Sequence, residues 1–239
     1  MSASDRRVRE VFIELADTLV DDFDIIEFLD RLAVRCGELL GVTACGILLA
    51  DPQGNLNLIA ASTAEARLVE LTQLQQSEGP CLDAFRIGRP VQRADLSDND
   101  PRWPLFTAAA RQAGFASVQA LPMRLRDVVI GAVNLLSDRA EPLDEDTIAL
   151  GQALADAATV GILNQRALVR QEELSQQLQT ALNSRILIEQ AKGYLTHSLG
   201  LDVDDAFTEL RTYARTNHRR MTDVANDIVQ GRLDIRDAP

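Results

Sequence analysis

The feature that most constrains the fold is a helical pattern that runs without a strong breaker from Asp144 to about Ser198. Apolar residues recur along it every three or four positions, except across Gln171, and the intervening QEELSQQLQT is polar. This spacing is typical of a coiled-coil seam. It predicts one long helix whose residues 166–181 form a coiled-coil linker in a homodimer or, alternatively, a solvent-exposed linker helix. The seam residues are Val160, Leu163, Ala167, Leu174, Leu178 and Ala181.

The residues before this helix predict an α+β domain at 23–165, preceded by an N-terminal helix at 1–22. Asp24 and its acidic neighbours can cap the helix that ends at Gly41. Short apolar runs bounded by turn residues indicate strands of an antiparallel sheet flanked by helices. The predicted strands are 44–50, 56–61, 90–96, 117–125 and 128–136, and the predicted helices are 64–75, 103–113 and 143–163.

The residues after the long helix predict an all-α three-helix bundle at 182–231, followed by a tail at 232–239. Gly200 ends the long helix, and Asp202 can cap a helix whose apolar stripe recurs at 3.6-residue spacing. Thr222 is the predicted cap of the last helix, and Gly231 stands where a C-terminal glycine belongs.

Charge is distributed unevenly along the 239 residues. The formal net charge is −12, of which residues 1–169 carry −10 and residues 170–239 carry −2. The segment from Arg211 to Arg220 holds four arginines and no acid. A polyanion partner is therefore expected at this segment and not over the whole surface.

Residues 182–229 closely resemble the ANTAR domain, an RNA-binding transcription antitermination module. The resemblance rests on SR before the first apolar run, the AKG triplet, DDAF, the LR-x-x-A step and the DVA of the last helix. It implies an antiterminator that binds a pair of small hairpins in nascent RNA and so prevents a competing terminator hairpin.

Residues 23–165 resemble a GAF domain, a fold that senses small molecules or other signals. The helix–hairpin start, the EGPCLDAF segment and VIGAVNLLS carry this resemblance. It implies a sensor that regulates the RNA-binding domain, with an unknown small-molecule ligand or a redox signal.

Folded RNA presents phosphates and splayed bases, which proteins bind with basic and planar side chains. Gly193, beside the only lysine of the chain, would let RNA approach the backbone, and either Tyr213 or His218 could stack on a base. The alternative is that these residues form solvated faces, packing contacts or ion pairs with Glu189, Glu209 or Asp223. The residues predicted to contact RNA are Arg185, Lys192, Gly193, Arg211, Arg215, Arg219 and Arg220.

Residues 1–169 contain no histidine, tyrosine or lysine, so a haem with a histidine or tyrosine ligand cannot form in the sensor domain. The cofactor is otherwise unknown. Cys81 follows Glu-Gly-Pro in what looks like a loop, and Arg86 or Arg89 nearby could activate its thiol. Cys81 is thus a candidate redox sensor or, alternatively, a small buried residue at a helix start.

No apolar run approaches the roughly 20 residues that cross a bilayer, and no signal peptide is visible, which predicts a cytoplasmic protein without a membrane partner. No nucleophile–histidine set, phosphate-binding loop or metal-ligand spacing points to an enzyme. Two other readings remain open: a DNA-binding transcription regulator, and a protein-interaction module dimerised by the coiled coil.

Overall fold

The computed structural model describes residues 24–98 and 101–235, together with Ile13. The predicted N-terminal helix at 1–22 lies outside the described residues, apart from Ile13. The chain divides after Arg166 into two compact units. In the described part of the chain, none of the helices has the length and apolar character that crossing a bilayer requires.

The first unit is an α+β domain, as the sequence predicts. Five strands form one sheet in the order β2-β1-β5-β4-β3, and every neighbouring pair is antiparallel. Its elements are α1 (Ile25–Leu40), β1 (Ala44–Ala50), β2 (Leu56–Ala61), α2 (Ala64–Gln76), α3 (Pro80–Ile87), β3 (Val91–Arg93), α4 (Pro104–Gln112), β4 (Ser117–Leu125), β5 (Val128–Ser137) and the start of α5 (Glu145–Leu199).

Helices cover both faces of the sheet. Neighbouring residues of β1 point to opposite faces, so each packs against a different set of helices. Cys45 and Ile47 join the core that contains the buried residues of α1 and of the first third of α5. Ala44 and Leu48 join the clusters formed with α2, α3 and α4. Because both faces of β1 are buried, its sequence is the continuous apolar run ACGILLA and does not alternate with polar residues.

Local signals explain most helix ends in this unit. The carboxylate of Asp24 accepts hydrogen bonds from the backbone N–H groups of Ile26 and Glu27, and Gly41 ends α1 at a φ of 63°. These contacts confirm the predicted cap and C-terminus. The side chain of Asp144 caps α5 in the same way through the N–H of Thr147.

Helix α3 was not predicted, since Ser77-Glu78-Gly79-Pro80 reads as a break between helices. Pro80 instead occupies the first turn of α3, where its missing N–H costs nothing. Glu78 is also structural, because its carboxylate accepts from the N–H groups of Leu105 and Phe106 at the start of α4.

The second unit holds the end of α5, then α6 (Val203–Thr216) and α7 (Met221–Val229). Gly200 follows α5 at a φ of 67°, and Asp202 caps α6 through the N–H groups of Asp204 and Asp205. The predicted cap at Thr222 is wrong: α7 begins at Met221 and its N-cap residue is Arg220, which makes no side-chain cap bond. The three helices share a small apolar core of Ala191, Leu195, Ala206, Leu210, Ala214, Val224, Ala225 and Ile228.

Helix α5 is continuous over 55 residues, as the unbroken pattern predicts. Between residues 174 and 186 it carries large apolar side chains in water on one face, with exposed fractions of 47–63%. Leu174, Leu178, Leu182 and Ile186 stand four residues apart, so they follow one another along the helix surface. Glutamines and glutamates fill much of the opposite face. The dimer seam itself stays a prediction.

Candidate nucleic-acid interface

Lys192 lies where α5 meets α6. Its ammonium Nζ donates to both carboxylate oxygens of Glu189, at 3.1 and 3.0 Å, and sits 5.7 Å from the centre of the Phe207 ring. Only 15% of the lysine side chain is exposed. The charge is therefore held in place by an acid and by the face of an aromatic ring.

Phe207 begins a row of three residues on α6 that continues with Arg211 and Arg215. Residues four apart on a helix are neighbours on its surface. Both arginines are exposed, while the core-facing Ala206, Leu210 and Ala214 are buried. These contacts define a basic strip with an aromatic ring inside it, formed by Lys192, Phe207, Arg211 and Arg215.

Gly193 is exposed in the interior of α5, next to the basic strip. A Cβ built at this position meets no atom within 4 Å, so the helix packing does not require glycine here. Glycine inside a helix costs about 1 kcal/mol relative to alanine. Bare backbone at this point leaves room for a partner to approach closely.

His218 is the reverse of Gly193, because it is a non-glycine residue at a backbone conformation that glycine adopts with less strain. It follows α6 at a φ of 51°, where the N–H groups of His218 and Arg219 bond back to Arg215 and Ala214. This is the arrangement in which helices usually end on glycine. The imidazole is exposed at the end of the row that contains Arg211 and Arg215.

Arg219 and Arg220 differ in their surroundings. Arg219 forms an ion pair with Asp227, and this carboxylate also accepts from Arg232. The hydrogen bond from Arg219 lowers the pKa of Asp227, and the bond to Asp227 raises the pKa of Arg219. Arg219 therefore ties α7 to the end of α6, while Arg220 is exposed.

Of the other residues predicted to contact RNA, one is exposed to solvent and one is partly buried. Arg185 is exposed on α5, two turns before Lys192. Tyr213 is half-buried and packs against the apolar core of the bundle, which matches the packing alternative. Its stacking role, like the other residue roles, stays a prediction.

Sequence reasoning assigned Phe207 only to the apolar stripe of α6. The structure turns its ring towards the lysine of the preceding helix. The sequence did offer a signal for this contact. Phe207 stands four residues before Arg211, on a helix whose other core residues are smaller.

Cys81 does not lie in a loop, so that prediction is wrong. It stands in the first turn of α3, fully buried against Leu48, Ala84, Ala120 and Ala132. Burial raises the pKa of its thiol well above the ordinary value, so the environment favours the unreactive thiol over the thiolate. The placement matches the alternative of a small buried residue at a helix start.

An α+β unit is thus followed along the chain by a small helical bundle that carries the basic strip. Residues 24–162 match the GAF domain and residues 176–229 match the ANTAR domain. The GAF match covers more than half of the chain, and the chain therefore belongs to the GAF domain family, with an ANTAR domain at its C-terminal side. Both are regulatory domains.

Solved structures share the sensor fold. The GAF domain of an Acinetobacter phosphoenolpyruvate-protein phosphotransferase has a TM-score of 0.55 at 18% identity, and covers 70% of this chain and 97% of its own. The corresponding domain from Coxiella burnetii has a TM-score of 0.54 at 16% identity, over 71% and 99%. A free methionine-R-sulfoxide reductase from Neisseria meningitidis, solved with its substrate, has a TM-score of 0.52 at 21% identity, over 70% and 96%.

These likenesses show the fold alone, because the identities are low. The comparison with curated proteins found no match.

Proposed function

We propose that this chain is a transcription antiterminator that acts in the cytoplasm as a homodimer. Its ANTAR domain binds hairpins in nascent RNA through the basic strip, and a signal at the GAF domain regulates that binding. No catalytic step is part of the proposal. The observation that carries it is the basic strip itself, which lies inside the ANTAR match and joins fixed positive charge to an aromatic face.

The strip suits RNA for three reasons. Arg211 and Arg215 extend into solvent, where they can bind phosphates of a hairpin. Phosphate can replace Glu189 as the partner of Lys192. The exposed backbone at Gly193 and the exposed imidazole of His218 flank these charges. Glycine inside a helix and a histidine at positive φ both cost stability, and neither has a visible packing benefit.

Hairpin RNA is preferred over duplex DNA as the partner. A duplex-reading bundle inserts a recognition helix whose side chains reach base edges in the major groove. The candidate for that role, α7, carries Asp223, Asn226 and Asp227 and no arginine. Asp227 is already paired with Arg219 and Arg232, so α7 offers a phosphate-lined groove no cationic side chain of its own.

We expect the full-length protein to bind a two-hairpin RNA with a strong salt dependence. If about four phosphates are neutralised, log K falls with log salt at a slope of about −3, or roughly −0.7 per contact. Fluorescence anisotropy over a salt series measures the slope, with duplex DNA of equal charge as the competitor. Tighter binding to the duplex would indicate a DNA regulator, and no binding to either at low salt would leave a protein-interaction module.

The exposed stripe on α5 supports a second copy of the chain as its partner. Leu174, Leu178, Leu182 and Ile186 form a row of apolar side chains in water, and such rows mark interaction surfaces. A parallel coiled coil places each residue opposite the same residue of the other copy, so the two apolar rows would meet along their length. Two RNA-binding domains on one dimer would bind two hairpins of one transcript through effective concentration.

We expect Leu178→Glu to dissociate the dimer. Burial of a leucine contributes about 1.5–3 kcal/mol, and both copies lose it, so the dimer Kd should rise by at least about 100-fold. Analytical ultracentrifugation measures the change. Gln176→Glu adds the same charge on the polar face of the same helix and should leave the dimer intact; equal dissociation in both variants would contradict the seam.

A further inference from the structure

A carboxyl group lies buried in the sensor domain where nothing in the RNA-binding site uses it. Glu70 of α2 is fully buried above the sheet, over the position where Gly46 of β1 pairs with Asn134 of β5. A Cβ at position 46 would come within 2.5 Å of Oε1 of Glu70. The missing side chain of Gly46 is what makes room for this carboxyl group.

Two side-chain amides bind the carboxyl group of Glu70. Nδ2 of Asn134 donates to its Oε1 at 2.7 Å, and Nε2 of Gln73 donates to its Oε2. The carbonyl oxygen Oδ1 of Asn134 is buried and has no hydrogen-bond partner. An unmatched acceptor beside a carboxyl group is explained if the carboxyl group carries a proton, which is the donor that Asn134 lacks.

No basic side chain approaches Glu70 from the described elements that pack around it. Among the described residues, the titratable group that faces it is the thiol of Cys81 on α3, and the thiol of Cys45 on β1 lies on the other side of the sheet. The sheet adds the neutral Asn134 from β5. From α4, the buried residues on the α2 side are Phe106, Thr107 and Ala110, none of which ionises.

The cluster links three elements of the sensor. Gln73 holds Glu70 with its amide nitrogen, and its Oε1 accepts the backbone N–H of Cys81 at 3.3 Å. Gly79, just before α3, packs so closely on Gln73 that a side chain there would collide with it. A hydrogen-bonded path therefore runs from β5 through α2 to the first turn of α3.

We propose that Glu70 is a proton-binding site of the sensor domain, neutral and donating to Asn134 when α2 lies closed on the sheet. Loss of the proton leaves a carboxylate with no cation, and that charge is relieved when water enters between α2 and the sheet. The opening strains the path to α3. The effect on RNA binding rests on the proposed function, whereas the proton site does not.

The pKa of Glu70 agrees with this geometry. Burial raises it from 4.5 to about 7, although the hydrogen bonds from Asn134 and Gln73 lower it in part. The change of charge would then occur near neutral pH.

Carbon-13 NMR of glutamate-labelled, full-length protein tests the proton site. We expect one Cδ signal to titrate near pH 7 and to be lost in Glu70→Gln. Glu65→Gln, an exposed change on the same helix, should leave that signal in place. The proposal is overturned if the signal lost in Glu70→Gln titrates in the ordinary range of an exposed glutamate.

Hairpin affinity tests the regulatory half. The ratio of the Kd values at about pH 6 and about pH 8 should differ between the wild type and Glu70→Gln, because only the wild type changes charge at this site. Equal ratios would overturn proton regulation even with a titrating Glu70. If neither protein binds the hairpins at any pH, the proposed function fails, and the NMR titration still decides the proton site.

Discussion

Replacing Arg211 and Arg215 together with alanine is expected to weaken hairpin RNA binding at least about 100-fold. A hydrogen bond to a charged group contributes about 1.5–3 kcal/mol, so losing two removes about 3 kcal/mol or more. The salt slope should also become less negative by about 1.4, since two phosphate contacts are lost. Anisotropy with the full-length dimer measures both quantities.

The matched control is Arg166→Ala with Arg170→Ala. These arginines are also exposed, four residues apart on a helix, and outside the ANTAR match. They remove the same charge, so a general electrostatic attraction would weaken equally in both double variants. An equal loss in the control would place the RNA elsewhere. Neither change in the strip should disturb folding, because both side chains project into water.

The fold follows from the sequence wherever one local signal decides the structure. Apolar runs predicted the five strands, and Asp24, Asp202 and Gly200 marked helix ends at the positions observed. Prediction failed where a residue type has two uses. Pro80 can stop a helix or start one, and the preceding Gly79 favoured the wrong choice.

The candidate site was predictable in composition and only partly in pairing, since the alternative ion pair with Glu189 is the one that Lys192 makes. The arginine-rich segment and the single lysine identified the charged surface, and Gly193 was recognised from its place beside Lys192. Which charges are taken up by neighbours depends on tertiary contacts. Arg219 bonds to Asp227 eight residues away, and Lys192 meets a ring from the next helix, which no spacing rule within one helix indicates.

The burial of Glu70 could have been predicted from its spacing on the helix, but this spacing was not used in the sequence analysis. Ala66, Val69, Glu70 and Gln73 stand at i, i+3, i+4 and i+7, the spacing of a core-facing helix stripe. Half of that stripe is polar. Polar residues at core positions require partners, and here one partner of Glu70 is Gln73 on the same helix while the other, Asn134, comes from β5, far along the chain.

The contribution of Glu70 to the stability of the sensor domain should fall as pH rises from about 4.5 to about 7. Its pKa is higher in the folded state, so in this window the folded protein binds more protons than the unfolded chain. Raising the pH then favours unfolding. A rise from 4.5 to about 7 corresponds to roughly 3 kcal/mol, a large share of a typical domain's stability.

Comparison of the wild type with Glu70→Gln isolates this effect. Asp51, Asp95 and Asp144 have lowered pKa values, because hydrogen bonds stabilise their charged forms, and they make the fold more stable as pH rises through the acid range. These groups are common to both proteins and cancel in the difference. The hydrogen bond from Gln73 that the variant loses adds an offset independent of pH.

Trp103, the only tryptophan, is buried in the sensor and reports its urea unfolding separately from the helical bundle. The variant should gain roughly 3 kcal/mol on the wild type between about pH 4 and about pH 8. A difference that does not change with pH would mean that Glu70 carries the same charge in the folded and unfolded chains. Glu70 is buried beside an unmatched Asn134 oxygen, and no cation among the described residues pairs with a carboxylate there. We therefore expect the stability difference to change with pH.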